Sequence, residues 1–186
     1  MLKMNCLRKT PEVTILLLTL LLNCQEKNIP RVEGDREIGA TVTIRNFHRE
    51  SFSKEGVVNW KLDAEESYVF AEENRTVLYK FSFEQYENGK PHSNMTCEKG
   101  ILDHSEKSLV LSGNIILNTS DDRTLKTEEL FYNLDEKTLS TDSKVILYSE
   151  GTTIYGTGLR ADTNLKKFTI LKPDAITRGG NPFKAQ

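Results

Sequence analysis

The sequence predicts an all-β fold, and three observations predict it. Apolar and polar residues alternate with period two through most of the chain, the pattern of half-buried strands. Polar turn signals interrupt these runs: ENGKP at 87–91, LDHSEK at 102–107, NTSDD at 118–122, NLDEK at 133–137 and SEG at 149–151. A strand-like phrase also recurs, EKSLVLSGNIIL at Glu106–Leu117 and EKTLSTDSKVIL at Glu136–Leu147, 30 residues apart. No stretch reads as a long amphipathic helix.

The bulk numbers agree with one globular domain plus a short extra segment. The chain has 186 residues, 28% charged and 37% apolar, which is not the composition of a disordered chain. A formal net charge of −2 lacks the basic footprint of a nucleic-acid-binding protein. Cys6, Cys24 and Cys97 have neither CxxC pairing nor metal-ligand spacing.

The N-terminus reads as an address. Lys3, Arg8 and Lys9 precede the apolar run VTILLLTLLL at 13–22. As a helix that run spans ~15 Å, about half of a ~30 Å hydrocarbon core, so it suits a signal-peptide core better than a membrane span. LLNC then ends in Cys24, in the manner of a lipobox, although Asn23 stands where a small residue is usual. Lipidation at Cys24 is the reading adopted. A short uncleaved anchor and an ordinary cleaved signal stay open beside it. The expected organisation is a signal segment over 1–23, a polar tether over 24–37, a β domain over 38–172 and a C-terminal tail over 173–186.

The strands follow in order. ATVTIRNF alternates through Val42 and Ile44. DAEESYVFAEEN at 63–74 reads as an ambiguous strand with a bulge. VLYKFSFEQY puts Val77, Tyr79, Phe81 and Phe83 on one face. SLVLSGNIIL puts Leu109, Leu111, Ile115 and Leu117 together, with Gly113 between them. SKVILYS pairs Val145 with Leu147, and GTTIYGTGL and KKFTIL add Ile154, Gly156, Phe168 and Ile170. Gly113 and Gly156 mark bulges or close strand approach. The repeat extends to a third turn, with Lys107, Lys137 and Lys167 each 30 apart. Each unit is a hairpin that cannot bury its apolar face alone. Stacked units bury it by sharing an interior. Alternation leaves open whether that interior is a filled core or an open trough.

Little in the sequence points to catalysis. His48, His92 and His104 form no HxH or HExxH spacing. Asp103, His104 and Ser105 are consecutive, whereas a triad needs side chains converging from different elements. Gly156 and Gly158 lack a phosphate-loop context. Asp121–Asp122 and Glu128–Glu129 sit in or beside turns and read as solvated charge. The expectation is a non-enzyme with no cofactor and no metal, and Cys97 as a small strand residue.

Four stretches carry a resemblance. WKLDAEES at 60–67 supplies Trp60, Leu62 and Ala64, and GILDHSEKSLVLSGNIIL at 100–117 supplies a turn, a lysine and an alternating strand. LKTEELFYNLDEKTLSTDSKVIL at 125–147 and TIYGTGLRADTNLKKFTIL at 153–171 complete the set. Together they resemble the LptC family of the lipopolysaccharide export machine, whose β unit is shared by LptA. The resemblance implies a twisted, partly open β-jellyroll of repeated antiparallel hairpin units at the periplasmic face of the bacterial inner membrane. It implies lipopolysaccharide as ligand, an inner-membrane ABC transporter of LptB/LptF/LptG type and an LptA-like bridge as partners, and the C-terminal edge strand as the connector. The family commonly carries a transmembrane helix, which this chain replaces with a short run and Cys24. The lipid contacts it suggests are the alternating apolar residues Tyr79, Phe81, Leu109, Leu111, Ile115, Leu117, Val145, Leu147 and Ile154. The competing expectation is a closed-core β lipoprotein that binds only protein.

Overall fold

The computed structural model describes residues 36–183. The chain divides into two units, Met1–Arg36 and Glu37–Gln186, and the fold is that of the second. The apolar run at 13–22, Cys24 and most of the expected tether lie outside the described residues.

Nine strands form one antiparallel sheet in chain order: β1 Val42–Phe52, β2 Val58–Phe70, β3 Arg75–Glu87, β4 Lys90–Asp103, β5 Ser108–Thr119, β6 Thr124–Asn133, β7 Thr138–Ser149, β8 Thr152–Asp162 and β9 Phe168–Arg178. The ambiguous stretch 63–74 is the end of β2 followed by a turn. The sheet leaves β1 and β9 as edges. β9 runs past the expected domain end at 172. Pro173 is tolerated there because an edge strand leaves one row of N–H groups unneeded. Gly156 lets β9 approach closely, since a Cβ there would lie 2.6 Å from the Lys172 carbonyl oxygen.

The long strands fold over along a line that crosses the sheet. In β1, β3, β5 and β8 the line is marked by left-handed residues: Asn46 (φ 52), Lys80 (φ 47), Gly113 (φ 80) with Asn114 (φ 46), and Gly158 (φ 79). The pairing ladder skips these positions and their neighbours Glu65, Glu98 and Glu128. Bulges bend strands in this way. Polar side chains clasp the line: Lys80 Nζ lies 2.6 Å from Glu65, and Asn114 Nδ2 donates to Glu98 at 2.6 Å. The Asn114 backbone N–H donates to Glu128 at 3.1 Å. Gly113 is required, because a Cβ would meet the Glu98 side chain at 2.8 Å in a backbone region that L residues rarely adopt.

The bend makes two facing arms. Cross-strand partners share a face, so each inner surface reads as a transverse row. One row runs Arg49, Leu62, Phe83, Met95, Leu117, Leu125, Leu147, Ile154, Ile176 across all nine strands. The facing arm carries Leu102, Leu109, Tyr132, Leu139, Ala161 and Phe168.

The sequence repeat is a repeated turn. Asp103 Oδ1 accepts from the N–H groups of Ser105 and Glu106, and Asn133 Oδ1 accepts from Asp135 and Glu136. Lys107 (φ 49) and Lys137 (φ 54) then take the left-handed position before the next strand. The third turn, from Asp162 to Phe168, is one residue longer, and its left-handed residue is Leu165 (φ 53) rather than Lys167.

Candidate functional site

Between the arms, the β1–β6 part of the interior is not filled. A cavity of about 630 Å³ opens there. One arm lines it with Phe47, Trp60, Leu62, Phe81 and Phe83, and the other with Leu78, Leu102, Leu109 and Tyr132. That volume lies within the usual range for small-ligand sites. Its lining sets bulky aromatics on one arm against a mixed surface on the other, where Ser67 and Thr76 stand among Leu78, Leu102, Leu109 and Tyr132.

The rim is polar. The Arg49 guanidinium sits 5.7 Å from the Trp60 ring centroid. His104 Nε2 lies 2.9 Å from Thr76 Oγ1, and Lys107 Nζ lies 3.1 Å from Asp135. The site therefore combines an apolar floor with cationic and hydrogen-bonding groups at its mouth.

Beyond the cavity the interior closes. Leu111, Ile115, Leu125, Leu147, Leu159 and Leu165 are fully buried in one cluster. The residues singled out from sequence thus divide. Phe81 and Leu109 line the cavity. Leu111, Ile115, Leu117, Val145 and Leu147 are packed in the closed part, and Ile154 is half-buried near the β9 edge.

Tyr79 departs from the expected face. The single extra residue at Lys80 shifts the phase of β3, so Leu78, Phe81 and Phe83 point inward while Val77 and Tyr79 point outward. There they join Tyr68 and Phe70 in a second cluster, with the Tyr68 and Tyr79 rings edge-on at 6.0 Å. Tyr79 and Lys99 both donate to Glu37, at 2.6 and 2.8 Å. Burial alone would raise the Glu37 pKa, but these two bonds together with the positive charges of Lys99 and Arg75 hold the carboxyl below its ordinary value. Sequence reading missed Phe47, Leu78, Leu102 and Tyr132. The three-residue step from Leu78 to Phe81 was the available signal.

The polar groups near turns are structural. Asp103 caps its own turn, His104 meets Thr76, and Ser105 donates its backbone N–H, so the three side chains do not converge. Asp121 accepts from Thr119 Oγ1 at 2.7 Å and pairs with Arg123; the Thr119 bond is the main reason its pKa falls, and Arg123 adds to it against the opposing effect of burial. Glu128 and Glu129 hold Asn114 and Ser143. Cys97 lies on the inner face, and burial pushes its thiol up to about 12, so it is a poor nucleophile. Among the described residues no group of three or more His, Cys, Asp or Glu is placed to hold a metal. No helix among them is long and apolar enough to cross a membrane.

Among solved structures, the chain is similar to LptH from Pseudomonas aeruginosa, described as the LptA homologous periplasmic component of the conserved lipopolysaccharide transport device. The match has a TM-score of 0.52 at 11% identity, covering 66% of this chain and 95% of that one, and it shows the same fold. A search of curated proteins finds no match. The family described as lipopolysaccharide-assembly, LptC-related, matches residues 13–173. With an open, bent sheet and an apolar interior behind that match, the chain belongs to the LptC-related lipopolysaccharide-assembly family.

Proposed function

We propose that this chain is a membrane-tethered periplasmic component of the lipopolysaccharide export machine. It receives lipopolysaccharide from an inner-membrane ABC transporter of LptB/LptF/LptG type and passes it to an LptA-like bridge. The observation that carries this reading is the transverse apolar row, which runs from Leu62 on β2 to Ile176 on β9 and opens into the 630 Å³ cavity at its N-terminal end. Acyl chains crossing an aqueous compartment need such a path, since each sheltered CH₂ is worth about 0.8 kcal/mol. The sugars stay in water at the polar rim. Among the described residues β1 and β9 are the edge strands of the sheet, and they offer the partners on either side a place for strand addition. The chain carries no chemistry of its own in this reading, and the partner ATPase supplies the energy. Cys24 carries the lipid anchor.

In-cell photocrosslinking tests the trough directly. A photoreactive residue at Phe83 is expected to give a lipopolysaccharide adduct, and one at Asn114, on the outer side of the bend, none. No adduct at Phe83 in a folded, correctly located chain would leave the second reading, a β lipoprotein that serves as a protein-interaction module. The full burial of Leu111 and Ile115 favours that alternative locally. Labelling with radioactive fatty acid tests the anchor. Wild-type chain is expected to incorporate label and Cys24→Ala to lose it, and an unlabelled wild type would sink the lipid-anchor claim.

A further inference from the structure

The third copy of the repeated turn differs from the other two in a way the conduit alone does not require. The turns at 104–107 and 134–137 stand at the rim and are largely exposed. The β8–β9 turn, 163–167, instead reaches across the trough. Asn164 Oδ1 lies 2.7 Å from His92 Nε2, at the start of β4, 72 residues away in sequence. Lys166 Nζ lies 3.9 Å from Asp121 in the β5–β6 turn. His92 and Asp121 belong to the strand ends of the opposite arm, so the turn ties one rim to the other.

Between these ties Leu165 points inward. It is fully buried and belongs to the same cluster as Leu117, Leu125, Leu139 and Leu147. It reaches that place with φ 53, a left-handed conformation unusual for a bulky residue. Thr163, two residues earlier, lines a small void with Phe83, Met95, Leu117, Tyr132 and Leu139. Phe83 and Tyr132 also line the open cavity. The turn therefore stands where the open and closed parts of the trough meet. Past it, the apolar row continues through Ile154 to Ile176, which is 66% exposed on the edge strand β9.

We propose that the β8–β9 turn is a latch, with Leu165 as its stopper, that separates the N-terminal cavity from the β9 outlet. This rests on the lipid-conduit reading. An acyl chain in the cavity cannot reach Ile154 along the inner face while Leu165 stays packed against Leu117, Leu125, Leu139 and Leu147 and keeps the arms together. Release of the His92–Asn164 and Lys166–Asp121 ties lets the turn swing out, withdraws Leu165 from the cluster and lets the arms separate, which joins the two parts. The latch is held by one leucine and two polar contacts, few enough for a partner docking on β9 to open it.

The test uses the full chain, purified lipopolysaccharide and a photoreactive residue at either Leu62, inside the cavity, or Ile154, beyond the turn. The wild-type background is expected to give a strong adduct at Leu62 and a weak one at Ile154. Leu165→Ala is expected to raise labelling at Ile154 several-fold with labelling at Leu62 retained. Asn164→Ala, which removes the tie but leaves the leucine, is expected to raise it less and keeps the test valid where Leu165→Ala fails to fold. Labelling at Leu62 with Ile154 unchanged in both variants overturns the latch and leaves the conduit standing. Equal labelling at both positions in the wild-type background also overturns it. No labelling at Leu62 in any background overturns the conduit reading and the latch with it.

Discussion

The two ends of the trough share one register and differ in what fills it. At the closed end, leucine meets leucine: Leu117, Leu125 and Leu147 are adjacent in one row and nearly or fully buried. At the open end, Phe83, Leu62 and Trp60 stand across from an arm where Ser67 and Thr76 interrupt the leucines, and a cavity remains. The same period-two pattern builds both. Side-chain size across the gap, not alternation along the strand, decides whether a bent sheet becomes a core or a pocket.

Substitutions at the two ends should separate stability from binding. Leu147→Ala at the closed end is expected to cost about 2–5 kcal/mol in urea unfolding, because it leaves a cavity in packed surroundings. Leu62→Ala at the open end should cost markedly less while weakening lipopolysaccharide binding. Equal losses of stability at the two sites would break the comparison. Gly113→Ala tests the bend that both ends depend on. It forces a Cβ against Glu98 in a left-handed backbone, and about 1–3 kcal/mol of destabilisation is expected by thermal unfolding.

Spectroscopic and chemical probes sharpen the contrast with smaller effects. Trp60 is the sole tryptophan and lines the open end, so added lipopolysaccharide should shift its emission to the blue. An unshifted spectrum under conditions where binding is independently detected would place the lipid elsewhere. Cys97 should resist a thiol reagent at pH 8 in the folded chain and react once the chain is denatured. The mildest effect concerns β1. The Asp63 carboxylate, 2.6 Å from His48 Nδ1, holds the His48 pKa above its ordinary value, so protonated His48 favours the β1–β2 pairing. That contribution is fully present below about pH 6.5 and is lost as pH rises through the folded-state value. NMR titration should find His48 raised in the wild-type chain and returned toward the ordinary value in Asp63→Asn.

The strands and turns were legible in the sequence because local chemistry fixes them. The alternation in β5 reads correctly because Gly113 and Asn114 add two residues, which preserves the phase from Leu111 to Ile115. In β3 the single residue Lys80 reverses the phase, and Tyr79 passes to the other face. The division into open and closed ends was not legible. It depends on contacts such as His92 with Asn164, which join distant strand ends and leave no periodic trace.

Strand order that equals chain order has a kinetic meaning. Each strand pairs with its immediate predecessor across a short turn, so sheet growth closes no long loop between neighbours, the regime in which folding is fast. The sheet is able to lengthen in the order in which the chain is delivered, one hairpin at a time. The contact that ties its two rims comes late, because Asn164 waits on β8, and Asn181, which bonds Asp122 and Thr124 along one rim, waits on β9. A chain arrested before those residues would hold a growing, unsealed sheet, vulnerable to pairing with its own kind.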